Sequence, residues 1–189
     1  MMVVNDPRPD AAAILCKLTL VDVVIRNNSG DGENNYDGTR GGAISFIGAI
    51  VDIGGNSHSG SQFVSNGPQG AIQGVNGYLQ LRGKVTFDSN SGENGGAITL
   101  LSVRLFFLEG CLVSFVANKA SRLGGAIYID GEQSRALLVE SRGTKQYCAI
   151  IVKRNGRVSF QSNHAQLAGN AIYATSLYNC YLSDDFKSS

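Results

Sequence analysis

Phe87-Asp88-Ser89-Asn90, followed closely by Gly95-Gly96-Ala97-Ile98, is the stretch on which the fold turns. The same two motifs return in the same order as Phe115-Val116-Ala117-Asn118 and Gly124-Gly125-Ala126-Ile127. Phe63-Val64-Ser65-Asn66 is followed by Gly70-Ala71-Ile72, and Phe160-Gln161-Ser162-Asn163 by Gly169-Asn170-Ala171-Ile172. Ile25-Arg26-Asn27-Asn28 and Gly41-Gly42-Ala43-Ile44 supply an earlier pair. The alanines fall at 43, 71, 97, 126 and 171, so the steps are 28, 26, 29 and 45 residues. A period in the 20–50 range is the mark of a solenoid, propeller or array. The last step is longer by about 17 residues, which places an insertion over 132–147.

Between motifs the chain alternates. Tyr78-Leu79-Gln80-Leu81, Lys84-Val85-Thr86-Phe87 and Lys17 to Val23 have period two, as short strands do. One unit parses into strands at Gly95 to Leu101, Val103 to Leu108 and Leu112 to Phe115, each followed by a turn. Three strands in about 26 residues predict one coil of a right-handed parallel β-helix, each strand pairing with its counterpart one coil away at about 4.8 Å. A coil cannot bury its apolar face alone, so stacked coils share one core.

Identical positions then stack. Phe63, Phe87, Phe115 and Phe160 form an inward aromatic column. Asn66, Asn90, Asn118 and Asn163 occupy turns, where Asn tolerates the left-handed region and can form a side-chain ladder. The pairs Gly41-Gly42, Gly95-Gly96 and Gly124-Gly125 permit a positive φ at a sharp corner. Each alanine sits where only a small side chain fits, and the following isoleucine faces the opposite way. The rival is a sandwich or propeller of hairpins, for which Asp31-Gly32, Asp37-Gly38, Asn66-Gly67, Asn76-Gly77, Asp130-Gly131 and Asn155-Gly156 offer turns.

The paired motifs resemble the repeats of the chlamydial polymorphic outer-membrane proteins. Similar repeats occur in large secreted β-helical proteins of simple animals. The likeness runs over roughly residues 20 to 180. It implies a β-helix displayed outside the cell, at the cell surface or beyond it, with an adhesive or scaffolding role. Only about 18 residues follow Ala171 in this sequence, so no carboxy-terminal outer-membrane barrel is expected within it. An autotransporter route is therefore not implied.

Composition fits this picture. In 189 residues there are 24 Gly, 3 Pro and no Trp. So much glycine is costly in a helical bundle. Sixteen Lys+Arg against fifteen Asp+Glu leave a net charge of +1, without the basic footprint of a nucleic-acid binder. Charged residues make up 16%, below the roughly 25% of an average soluble domain. The opening Met1 to Asp10 lacks the basic-then-apolar run of a signal peptide, and no run nears the ~20 apolar residues of a membrane helix. The expectation is a mature or internal piece, without membrane insertion, forming one β-helix domain over 1–189. Residues 1–16 would cap its amino-terminal end and 178–189 its carboxy-terminal end. Open coil ends invite end-to-end self-association unless capped.

Cys148 and Cys180 stand at comparable points of successive units, within reach of a disulfide if those units stack. Buried reduced thiols are the alternative. Cys16 and Cys111 show no such equivalence.

Catalytic chemistry is not expected. Polysaccharide lyases and hydrolases on this fold need clustered carboxylates. Here Asp22, Asp52, Asp88, Glu93, Glu109, Asp130 and Glu140 are scattered. A carbohydrate-active enzyme remains the alternative, and a self-assembling scaffold a further one. No cofactor is expected. His58 and His164 lack metal-ligand spacing. Asp31, Glu33, Asn35 and Asp37 alternate like a calcium loop but lack its closing Glu. Tyr128, Tyr147, Tyr173, Tyr178 and Tyr181 gather in the last third, as strand residues or as part of a binding face. Arg135, Arg142, Lys145, Lys153, Arg154 and Arg157 form a modest basic cluster. The partner, a surface protein or a glycan, is not named by any motif.

Overall fold

The structure, a computed structural model, describes residues 2–4 (as backbone), 16–29, 42–130 and 150–175. These residues form strands and turns, with no helix among them. Every strand pairing among them is parallel. The hairpin rival is thereby excluded over this part of the chain: Asn66-Gly67, Asn76-Gly77 and Asn155-Gly156 join no antiparallel strands. Asp31-Gly32, Asp37-Gly38 and Gly131 lie outside the described residues.

The pairing follows the sequence period. The first ladder joins β1 (Met2–Val4), β4 (Ile44–Ile47), β7 (Ile72–Asp88), β9 (Ile98–Phe107), β12 (Ile127–Asp130) and β16 (Ile172–Ala174). Its register sets Ile44 against Ile72, Ile98, Ile127 and Ile172 in turn. A second ladder joins β2 (Cys16–Val21), β5 (Ala49–Gly55), the middle of β7, the end of β9, and β13 (Ile150–Val152). It stacks Leu18, Val51, Leu79, Leu105 and Ile150. A third joins β3 (Val24–Arg26), β6 (Ser61–Val64), the end of β7, β10 (Leu112–Val116) and β14 (Arg157–Gln161). A separate three-stranded sheet joins β8 (Ser91–Asn94), β11 (Lys119–Leu123) and β15 (His164–Ala165).

Strand boundaries differ from the sequence parse in two ways. The strands expected at Gly95 to Leu101 and Val103 to Leu108 are one strand, β9, which passes through Ser102 at φ 56°. Gly48 and Asn76 hold the same left-handed turn at the equivalent points of their units. The ladder of β8, β11 and β15 lies where only turns were expected, because those residues are polar and carry no apolar alternation.

The core is built from the stacked columns. Ile25, Phe63, Phe87, Phe115 and Phe160 are in register. Successive rings from Phe63 to Phe160 lie 4.9, 4.9 and 5.0 Å apart and nearly parallel. Phe107 meets Phe115 edge-on at 6.5 Å, closing the contact between the second and third ladders. Aromatic pairs at such distances add about 0.5–1.5 kcal/mol beyond the area they bury.

The isoleucines of the GGAI motif do not face away from the alanines, contrary to the alternation rule. Ala71, Ala97 and Ala126 are buried, and so are Ile72, Ile98 and Ile127, all in one core. The chain turns at the alanine, so two consecutive residues both point inward. Alternation resumes beyond, with Ser45, Gln73, Thr99, Tyr128 and Tyr173 as the next registered column.

Candidate functional site

The Asn column is a continuous hydrogen-bond ladder. The Asn28 side-chain amide donates to Asn66 Oδ1 at 2.8 Å. Asn66 donates to Asn90, Asn90 to Asn118, and Asn118 to Asn163, each at 2.9 Å. Each acceptor oxygen also takes the backbone N–H of the preceding Asn, at 3.0–3.2 Å. The second amide hydrogen goes to a carbonyl near the preceding Phe column, as from Asn90 to Phe63 O at 3.0 Å. Asn66, Asn90 and Asn118 are buried, with these polar needs met.

The left-handed residue is not the asparagine itself. Positive φ falls one position earlier, at Asn27, Ser65, Ser89, Ala117 and Ser162, between 51° and 55°. That twist aims the following Asn inward, so its side chain builds the ladder instead of bonding its own turn.

The two glycines of the GGAI motif have separate tasks. Gly95 and Gly124 take the positive φ, at 66° each. Gly96 and Gly125 are needed for space: a Cβ on Gly96 would come within 2.6 Å of Lys119 N, and one on Gly125 within 2.7 Å of His164 N. The corner of one unit thus rests on the β8–β11–β15 sheet. Gly42 is described and buried, whereas Gly41 lies outside the described residues.

These columns serve the interior, so surface chemistry lies elsewhere. Asp52 on β5 accepts from Arg82 Nε on β7 at 3.0 Å and pairs with Lys17 Nζ on β2 at 3.3 Å. Gly54 leaves the space over which the Arg82 side chain folds. Asp22, between β2 and β3, accepts from the N–H groups of Asn56 and Ser57 and from the Ser57 hydroxyl, all at 2.9 Å. The Ser57 N–H is the largest influence holding its carboxyl below the ordinary carboxylate range. On the outer face Tyr128 and Tyr173 stack at 6.0 Å with rings 2° from parallel. Burial first, then the Asp130 charge, pushes the Tyr128 phenol up.

A groove of about 490 Å³ crosses the β8–β11–β15 sheet. Its floor includes Gly92 and Ala120, and its sides carry polar residues from the three positions that follow each ladder Asn. Ser91, Lys119 and His164 stand in register there, with Gly92, Ala120 and then Ala165 in register beside them. Glu93 on the groove's side is bridged to Arg122 at 3.2 Å. No motif announced this groove. Its only signal is a small residue between two polar ones after Asn90, Asn118 and Asn163, as in Ser91-Gly92-Glu93 and Lys119-Ala120-Ser121, a pattern that Gly67-Pro68-Gln69 after Asn66 does not keep.

The other sequence candidates are dispersed. His58 is on the exposed loop before β6, and His164 is on the groove. Among the described residues no three His, Cys, Asp or Glu side chains gather as a metal site would require. Cys16 is free and exposed, Cys111 free and buried. The Cys148–Cys180 pair, residues 30–38 of the calcium-like loop, the 132–147 insertion and the 178–189 tail lie outside the described residues, as does the 1–16 cap apart from the backbone of 2–4 and Cys16. So do Tyr147, Tyr178, Tyr181, Arg135, Arg142 and Lys145, whereas Lys153, Arg154 and Arg157 are exposed around the turn between β13 and β14. No described helix is long and apolar enough to cross a membrane.

Residues 112–130, which carry one FxxN motif and one GGAI motif, match the family model of the Chlamydia polymorphic membrane protein repeat. No curated protein matches the chain. No solved structure matches it either.

Proposed function

We propose that this chain is a right-handed parallel β-helix displayed at a cell surface, acting as a non-enzymatic adhesive or scaffolding module. The observation that carries the reading is where the repetition lies. Two apolar interior columns repeat residue for residue, the Ile column Ile44, Ile72, Ile98, Ile127 and Ile172 and the Phe column Phe63, Phe87, Phe115 and Phe160, and the other core positions stay apolar or small. The next registered column, buried at Ser45 and partly exposed at Gln73, Thr99, Tyr128 and Tyr173, repeats only at the two tyrosines. A fixed spine with free outer faces suits a surface whose contacts are set by geometry. The match to a repeat of polymorphic membrane proteins supports a surface location. Engagement of carboxylates supports the non-enzymatic part: Asp52 is held by two cations, Asp22 by loop N–H groups, and Glu93 by Arg122.

Attachment of the folded chain, coupled to beads, to cultured epithelial cells tests the reading, with heat-unfolded chain as control. Attachment that needs the folded state is the expected result. Absence of any difference between folded and unfolded chain rejects it, as does release of unsaturated or reducing sugar ends in a polysaccharide-cleavage screen.

A further inference from the structure

The groove on the β8–β11–β15 sheet has the chemistry of a binding site that none of the interior columns requires. One row of side chains along it is Ser91, Lys119 and His164. Two residues later in the chain come Glu93, Ser121 and Gln166, with Gln69 from the preceding unit also lining the groove. Rows two residues apart on a strand are separated by about 7 Å, and successive strands by about 4.8 Å. From Gln69 to Gln166 the groove crosses four successive units, so it is about 14 Å long. That is a polar grid the length of a short oligosaccharide, with small residues forming its floor.

Charge narrows the ligand. Arg122 bridges the one carboxylate on the wall, Glu93. Lys119 has no ion pair among the described residues. Among the described residues of the groove and its rim the balance is therefore positive. The strands beneath are already paired on the sheet, and the groove is lined by side chains projecting from the sheet face. A peptide that binds as an added strand lies along an edge of the sheet, here β8 or β15, whereas this groove runs across the strands. Flat arrays of hydroxyl, amide and ammonium groups instead suit sugar hydroxyls and acidic substituents.

We propose that this groove binds an extended anionic oligosaccharide, its carboxylate or sulfate groups on Lys119 and its hydroxyls on Gln69, Ser91, Ser121 and Gln166. The inference rests on the adhesive reading and gives it a site and a ligand class.

The full chain is titrated with a heparin-derived hexasaccharide and with a hexagalacturonide, using maltohexaose as neutral control and a glutamate hexapeptide as the peptide control. Binding of at least one acidic sugar, weakened by added salt, and little binding of the controls is expected. Lys119→Gln is expected to lower affinity about tenfold, as loss of one charge-assisted contact does. Ser121→Arg is expected to raise it. Both sites are exposed, and unchanged thermal midpoints check that the variants fold. A Lys153→Gln/Arg154→Gln variant, altered on the β13–β14 turn, is expected to bind as the parent does. Failure of both acidic sugars to bind overturns the proposal. So does equal loss in the turn variant, equal binding of maltohexaose, or tighter binding of the peptide. Cell attachment without acidic-sugar binding rejects the groove and leaves the adhesive reading standing; sugar binding without attachment does the reverse.

Discussion

Single atoms decide much of this architecture. Adding one methyl at Gly125 would drive it into the backbone at His164 and Asn170, neither of which is the far end of a flexible side chain. Gly125→Ala is therefore expected to prevent native folding, read as loss of a cooperative thermal transition. Gly110→Ala is the contrasting case: φ is +67° but nothing lies within 4 Å of its Cβ, so the cost is the left-handed penalty alone, about 1–2 kcal/mol. Ala117 already bears that penalty at φ 51°. Ala117→Gly is expected to stabilise the protein by about 1 kcal/mol in urea denaturation. Burial pushes the Cys111 thiol up, which favours its unreactive neutral form. In pulse alkylation at pH 8, with mass spectrometry of peptides, Cys16 is expected to be labelled at once and Cys111 only on unfolding. Asp22 brings a pH dependence of known sign. Its folded pKa is depressed, so its contribution is present above the unfolded carboxylate pKa and lost as pH falls through the folded value. Asp22→Asn is expected to flatten the acid side of a plot of thermal midpoint against pH; an unchanged acid slope would count against this role.

At the scale of elements, ladders are tied across units by side chains as well as by backbone. Asp52 joins three successive strands through Lys17 and Arg82. Lys17 is half exposed, so the Lys17 pair adds little by itself. Asp52→Asn is expected to cost about 1.5–3 kcal/mol through the weakened Arg82 bond, and Lys17→Gln less than 1, as chemical denaturation would measure. The strands themselves were legible from Leu79 and Leu81, and from Val85 and Phe87, because each pair alternates inward on its own side of the Gly83 turn. Corners were not. The alternation rule assumes an extended chain, and at Ala97-Ile98 the chain bends so that both residues turn inward. Likewise Asn90 reads as a turn residue by composition, yet Ser89 before it takes the strained φ. The β8–β11–β15 sheet escaped notice because Ser91 to Asn94 offers no apolar period. Its groove, and the Lys17–Asp52–Arg82 cluster, arise from residues that do not repeat, so no internal comparison within the chain could mark them.

For the molecule as a whole, every partner strand is a full unit distant in sequence, 24 to 45 residues away at the registers of the Phe column. Such non-local pairing implies slow folding. Neighbour-only contacts imply that interior units matter more than terminal ones. Phe115, packed between Phe87 and Phe160 and against Phe107, is fully buried, whereas Phe160 retains 7% exposure. Phe115→Ala is expected to cost about 3–5 kcal/mol and Phe160→Ala measurably less, in equilibrium urea unfolding. Equal losses at the two positions would contradict a cost that follows the depth of burial.

The asparagine ladder has a direction: in every link the amide donates to the later asparagine and the acceptor oxygen faces the earlier one. Each junction is therefore a plug meeting an identical socket. A segment cut between two ladder asparagines, such as 67–90, carries one of each. Gene duplication in frame would add a tier whose amide finds a waiting oxygen at both seams, and deletion would heal the same way. Length in such a protein is thus free to drift by whole tiers, whereas a segment spliced in at any other phase would set oxygen against oxygen and be refused.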